Sequence, residues 1–155
     1  MRWLALDHGT KRIGVAVGDA AGGVATPLEV LPAEPLDGVV RRVAELAVEY
    51  DAAGLVVGWP LNMDDSEGPQ GRMARAMAVE LAGRTGLDVR LWDERLSSFE
   101  AEQAMAGLYT RKQKKARQDA VAAAAILRDF LAGDGPAIAP KPEDASRDGE
   151  SSSRG

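Results

Sequence analysis

The chain has 155 residues, 45% of them apolar, with a formal net charge of −5, no cysteine and one histidine. It can bury one good core and is too short for two ordinary domains, and disulfides, thiolate metal sites and multi-histidine zinc centres are excluded. Its apolar runs, Ala120–Leu127 among them, fall short of the roughly 20 residues of a membrane span. The start lacks the long apolar segment and cleavage site of a secretory leader, so a soluble cytoplasmic protein with no membrane partner is expected.

Leu4–Leu6 is an apolar run that ends in Asp7, and after Gly9 the stretch Ile13–Val17 alternates small and β-branched residues. That pattern predicts a hairpin with an acid at the carboxyl end of its first strand. Gly22-Gly23 is a turn, and Val24–Leu31 predicts a third strand, placed at an edge because Pro27 cannot donate to a ladder. From Asp37 to Tyr50 the spacing of Val39, Val43, Leu46 and Tyr50 is helical, and Gly54–Gly58 is a short buried strand. Gln70–Thr85 is a second helix stopped by Gly86, and Leu87–Trp92 a fifth strand. Ser97 and Glu100 form a capping box for a helix reaching about Gly107. A basic loop, Arg111–Arg117, then leads into an alanine-rich helix ending near Ala132. A folded domain over 1–133 and a disordered polar tail over 134–155 follow from the change in composition.

The succession predicts an α/β fold: a five-stranded mixed sheet, three antiparallel strands then alternating helices and strands, with helices on both faces. Strands one, four and five should be parallel. Their carboxyl ends carry Asp7, the loop Gly58–Asn62 and Asp93-Glu94, on the rim where α/β sheets bind ligands.

Strand-end acids can be simple turn residues. Asp119 adds weight to a catalytic reading, because helical spacing puts it on one stripe with Ala122, Ala123, Ile126 and Phe130. A carboxylate on a core-facing stripe needs a partner, a proton or a cation. Without thiols or several histidines, a cation must rest mainly on carboxylates, which favours Mg²⁺ or Mn²⁺. Such a cluster suits phosphodiester hydrolysis. Asp93 and Glu94 are neighbours that alternate faces if the strand continues, so one is a ligand and the other supports it or substitutes for it.

Five positive charges in the seven residues Arg111, Lys112, Gln113, Lys114, Lys115, Ala116 and Arg117 make a candidate grip on phosphates, with a steep salt dependence. Lys11 and Arg12 could add contacts beside Asp7, and Asn62 is a candidate for positioning substrate or orienting a ligand carboxylate. His8 could reach a phosphate. Trp59 either stacks on a base or packs beneath its own loop, the reading preferred here. Asp64, Asp65 and Glu67 read as solvated loop residues.

Asp7-x-Gly9-Thr10-Lys11-Arg12-Ile13-Gly14-Val15-Ala16-Val17, Gly58-x-Pro60-Leu61-Asn62-Met63-Asp64, Asp93-Glu94-Arg95-Leu96-Ser97 and Asp119-x-x-Ala122-Ala123-x-x-Ile126-Leu127 together resemble the YqgF/RuvX family. Its members are described as Holliday junction resolvases and as nucleases maturing the 5′ end of pre-16S rRNA. The likeness spans about residues 1–132 and departs at His8 and Trp59. It implies a ribonuclease-H-like fold and a metal-dependent nuclease whose ligands are Asp7, Glu94 and Asp119. Its substrate would be pre-rRNA, or branched DNA cut by a homodimer. Two readings from other classes are a non-catalytic rRNA-binding assembly factor and an ATP-binding protein, since Asp7-x-Gly9-Thr10 also resembles the phosphate loop of the sugar kinases. The latter need two such subdomains, and this chain has room for one.

Overall fold

A computed structural model describes residues 1–96 and 111–144, with side chains over 1–95 and 119–144. Strands β1 (Arg2–His8), β2 (Arg12–Asp19) and β3 (Val24–Pro32) form an antiparallel meander. Helix α1 (Leu36–Glu49), strand β4 (Ala52–Trp59), helix α2 (Pro69–Thr85) and strand β5 (Asp88–Asp93) follow. A single 3₁₀ turn (Glu94–Leu96) closes β5, and the chain resumes in helix α3 (Arg111–Ala132) and the short helix α4 (Gly135–Ile138). The strand order is β3-β2-β1-β4-β5, with β1, β4 and β5 mutually parallel and β3 at the edge. Pro27 sits where the β2–β3 register slips, Val15 facing Glu29 and Ala16 facing Pro27, so the missing donor falls at a bulge on an edge strand.

Alternation along β1 divides the core. Leu4 and Leu6 join Val39, Val43, Met77 and Leu81 beneath α1 and α2, whereas Trp3 and Ala5 join Ala123, Ile126, Leu127 and Phe130 beneath α3. On the α3 side the sheet is lined by small residues, which lets the helix lie close. A Cβ on Gly14 would collide with the Asp119 carbonyl, and one on Gly18 would sit 2.9 Å from Leu127 Cδ2. At the far end Phe130 is wedged between Trp3 and Trp92, with ring centroids 5.0 and 5.6 Å away.

Helix α2 starts with Pro69 at its first positions and ends at Gly86, whose φ of 70° lets its N–H reach the Ala82 carbonyl at 3.0 Å. The hairpin turn between β1 and β2 closes with Gly9 N–H donating to the Arg12 carbonyl at 2.9 Å.

Two expectations need correction. The basic segment expected as a loop is helical from Arg111 onward and forms the first turns of α3; Lys, Arg, Gln and Ala are all good helix formers, and no glycine or proline interrupts them. The tail expected to be disordered from Asp134 is folded to Asp144. Ala139 is buried, the Leu91 N–H donates to the Pro140 carbonyl at 2.9 Å and Arg90 donates to the Ala139 carbonyl at 2.7 Å. The outer edge of β5 offers unpaired backbone groups, and this segment satisfies the one at Leu91. The helix expected from Ser97 lies outside the described residues.

Candidate active site

Asp7 is the penultimate residue of β1 and shares the α3 face with Trp3 and Ala5. Its partner across the hairpin is Gly14, the glycine against which the backbone of Asp119 rests. The absence of a side chain at Gly14 therefore brings the first described side chain of α3 beside the acid of β1. On β5, Val89 and Leu91 face α1 and α2 while Trp92 faces α3. Glu94, two residues beyond Trp92, lies on the same side and folds back over β4. A Cβ on Gly58 would come within 2.6 Å of Glu94 Oε1 and 2.7 Å of Ile126 Cδ1.

Two carboxyl groups from strands that are not neighbours thus meet, and Glu94 and Asp7 hydrogen-bond to each other. Burial, the hydrogen bond with Asp7 and the charges of Asp7 and Asp93 push Glu94 up to about 9. Asp7 is also raised, first by burial, with the hydrogen bond from Glu94 opposing and the charge of Asp119 adding to the rise. At neutral pH Glu94 keeps its proton and donates to the Asp7 carboxylate, since two adjacent desolvated carboxylates cannot both stay ionised without a cation. Asp119 is half-buried and receives Arg12 Nε on its Oδ2 at 2.7 Å.

An all-oxygen donor pair that binds a proton tightly suits a hard divalent cation. Asp7 and Glu94 fit that group. Among the described residues, however, no three acids or histidines are gathered as a ready-made cage, and the third expected ligand, Asp119, is paired with Arg12.

Asp93 pairs with Arg95, whose guanidinium also reaches the Asp65 carboxylate at 2.7 Å and the Asn62 carbonyl at 3.0 Å. Arg95, to which sequence reasoning assigned no role, ties the end of β5 to the 60–67 loop. Asn62 is exposed and donates from Nδ2 to Ser66 Oγ at 2.9 Å, within its own loop. Lys11 is exposed beside the hairpin turn. The side chains of Arg111, Lys112, Lys114, Lys115 and Arg117 lie outside the described residues. His8 faces the other side of the sheet beside Gln70 of α2, and burial lowers its pKa from the ordinary imidazole range.

Trp59 is fully buried and donates from Nε1 to Glu67 Oε2 at 2.9 Å, which places it under its own loop, away from any base. Glu67 corrects an expectation. Its carboxylate is sealed from solvent and accepts both Trp59 and a fork of two Arg75 nitrogens at 2.7 and 2.9 Å. The available signal was a tryptophan eight residues before an acid, with an arginine on the following helix.

The model of the RuvX family, described as Holliday junction resolvase, matches residues 1–133. The chain belongs to the RuvX family. Among curated RuvX relatives, a protein of Anaeromyxobacter sp. (strain Fw109-5) is 44% identical over 134 residues, covering 86% of this chain and 98% of that protein. One from Pelotomaculum thermopropionicum is 41% identical over 133 residues, covering 84% and 86%. Both are named as candidate pre-16S rRNA nucleases. Thermus thermophilus RuvC, solved with a Holliday junction substrate, is 18% identical with a TM-score of 0.60 over 90% of this chain and 99% of that one. The likeness establishes the RNase H-like fold for this RuvX chain.

Proposed function

We propose that this chain is a divalent-cation-dependent nuclease that hydrolyses phosphodiester bonds in structured RNA and processes the 5′ end of pre-16S rRNA in the cytoplasm. The observation that carries the reading is the buried contact between Asp7 and Glu94 at the carboxyl ends of two parallel strands, with Asp119 beside them. The names of relatives more than 40% identical over nearly the whole domain supply the substrate.

Asp7, Glu94 and Asp119 are the proposed catalytic and cation-holding residues, with Asp93 held by Arg95 as support for the Glu94 turn. A bound Mg²⁺ or Mn²⁺ supplies a water of lowered pKa and stabilisation of the leaving oxygen. For the site to accept a cation, Glu94 would have to release to solvent the proton that it donates to Asp7. Lys11, Arg12 and the basic start of α3 (Arg111, Lys112, Lys114, Lys115, Arg117) contact phosphates on either side of the scissile bond. The Asn62 loop, braced by Arg95, sets one wall of the path.

Purified protein incubated with an rRNA precursor, a four-way DNA junction and linear DNA, with and without Mn²⁺, tests the reading. Cation-dependent cleavage of the precursor that disappears with Asp7→Asn is expected. Tight RNA binding with no cleavage would instead make the chain a non-catalytic rRNA-binding factor.

A second reading, resolution of branched DNA, is favoured by the description of the family model. Symmetric cleavage of a junction requires two active sites, as a two-fold homodimer provides. A dimer on sizing with junction DNA, together with preferential junction cleavage, would decide for it.

A further inference from the structure

The Arg12–Asp119 ion pair is the feature for which a role as a phosphate contact does not account. Arg12 opens β2 on the α3 face, two residues before Gly14, and its Nε lies 2.7 Å from Asp119 Oδ2. Both side chains are partly exposed, 37% and 27%, so the pair is neither a sealed structural bridge nor a freely solvated one. Only Nε is used. Among the described residues the terminal guanidinium nitrogens make no hydrogen bond, and the Asp119 that Arg12 holds has its backbone against Gly14, the partner of Asp7 across the hairpin.

We infer that Arg12 competes with the divalent cation for Asp119, so that a phosphate drawing Arg12 away releases the carboxylate to the cation. The inference rests on the three-carboxylate reading given above. A guanidinium on a ligand oxygen and a divalent cation on the same carboxylate repel each other strongly where water is partly excluded. The terminal nitrogens of Arg12 offer a planar donor set suited to a phosphate. Binding of a nucleic-acid strand and binding of the cation would then favour one another, and linkage makes the effect reciprocal. Cleavage-competent geometry would thereby assemble chiefly when a strand is in place.

Mn²⁺ binding to the full chain, followed by calorimetry and by the cation-induced rise in Tm, tests this with native protein, Arg12→Gln, Arg12→Lys, Lys11→Gln and Asp119→Asn. Arg12→Gln should bind Mn²⁺ on the order of tenfold more tightly, within the usual range of such couplings, and show the larger rise in Tm. Arg12→Lys should stay near native, and Lys11→Gln should change little. A merely structural bridge would lower Tm equally with and without Mn²⁺. Unchanged or weaker binding in Arg12→Gln overturns the inference, as does equal tightening in Lys11→Gln, which would mean a general charge effect. A saturating RNA oligonucleotide should raise Mn²⁺ affinity more in native protein than in Arg12→Gln; equal gains overturn the coupling. If Asp119→Asn binds Mn²⁺ as tightly as native protein, the three-carboxylate reading itself falls, and the role of Arg12 with it.

Discussion

Glu94 reaches Asp7 across an intervening strand. Glu94 directly follows β5 and Asp7 lies one residue before the end of β1, β4 lies between these strands, and Gly58 of β4 leaves the gap that the Glu94 side chain crosses. Burial raises both carboxyl pKa values, and the hydrogen bond between them raises Glu94 further while opposing the rise of Asp7; the most direct predictions follow from this contact.

Asp7→Asn, Glu94→Gln and Asp119→Asn should each reduce cation-dependent cleavage by more than the roughly 10- to 100-fold typical of losing only a ligand's outer hydrogen-bond partner. Circular dichroism and Tm should show the fold retained. Full activity in any one of them would remove that residue from the site.

The stability of protein stripped of divalent cations should fall as pH rises. Glu94 has a folded pKa of about 9 against an ordinary 4.5, so the folded state holds a proton that the unfolded chain has released. That stabilisation is complete below about pH 4.5 and is lost progressively toward about pH 9. Thermal melts in EDTA across this window should show the decline, and Glu94→Gln should flatten it. An equally steep decline in Glu94→Gln would place the titration elsewhere.

Gly14→Ala should be more damaging than an alanine in an ordinary strand, because its Cβ meets backbone of α3, which cannot rotate away. A loss of about 1–3 kcal/mol or more is expected from overpacking, measured by urea denaturation. Gly58→Ala should displace Glu94 and Ile126, and its loss of cleavage should exceed what its loss of stability explains.

Arg75→Met should cost about 3–5 kcal/mol, since it strands the sealed Glu67 carboxylate without its cation. The double variant Arg75→Met/Glu67→Gln should recover part of that in the same denaturation experiment. No recovery would mean that Arg75 matters through its packing alone.

Charge reversal at Lys112, Lys114 and Lys115 should weaken nucleic-acid binding and flatten its dependence on salt. The measurement is affinity at low and high ionic strength. Unchanged values at both would take the start of α3 out of the interface.

The order of elements was legible in the sequence because it rests on local signals: alternating apolar residues in Leu4–Val17, helical spacing in Val39–Tyr50, and Gly86 as a stop. Asp7, Glu94 and Asp119 could be named from their element ends and faces together with the family resemblance. The helical start of α3 was missed because its charge density was read as a phosphate-gripping loop, and the 134–144 segment because its order comes from contacts with β5 rather than from its own composition.

What the sequence alone determined was that acids would stand at strand ends on one rim, on a chain without thiols to compete for a cation. Tertiary structure alone decided that Glu94 rather than Asp93 meets Asp7, because the choice depends on which face of β5 the chain follows into its 3₁₀ turn. It also decided that Asp119 is held by Arg12, a residue 107 positions earlier in the chain. Such a pairing has no local signature, since it is made only when Gly14 lets a helix settle onto the sheet.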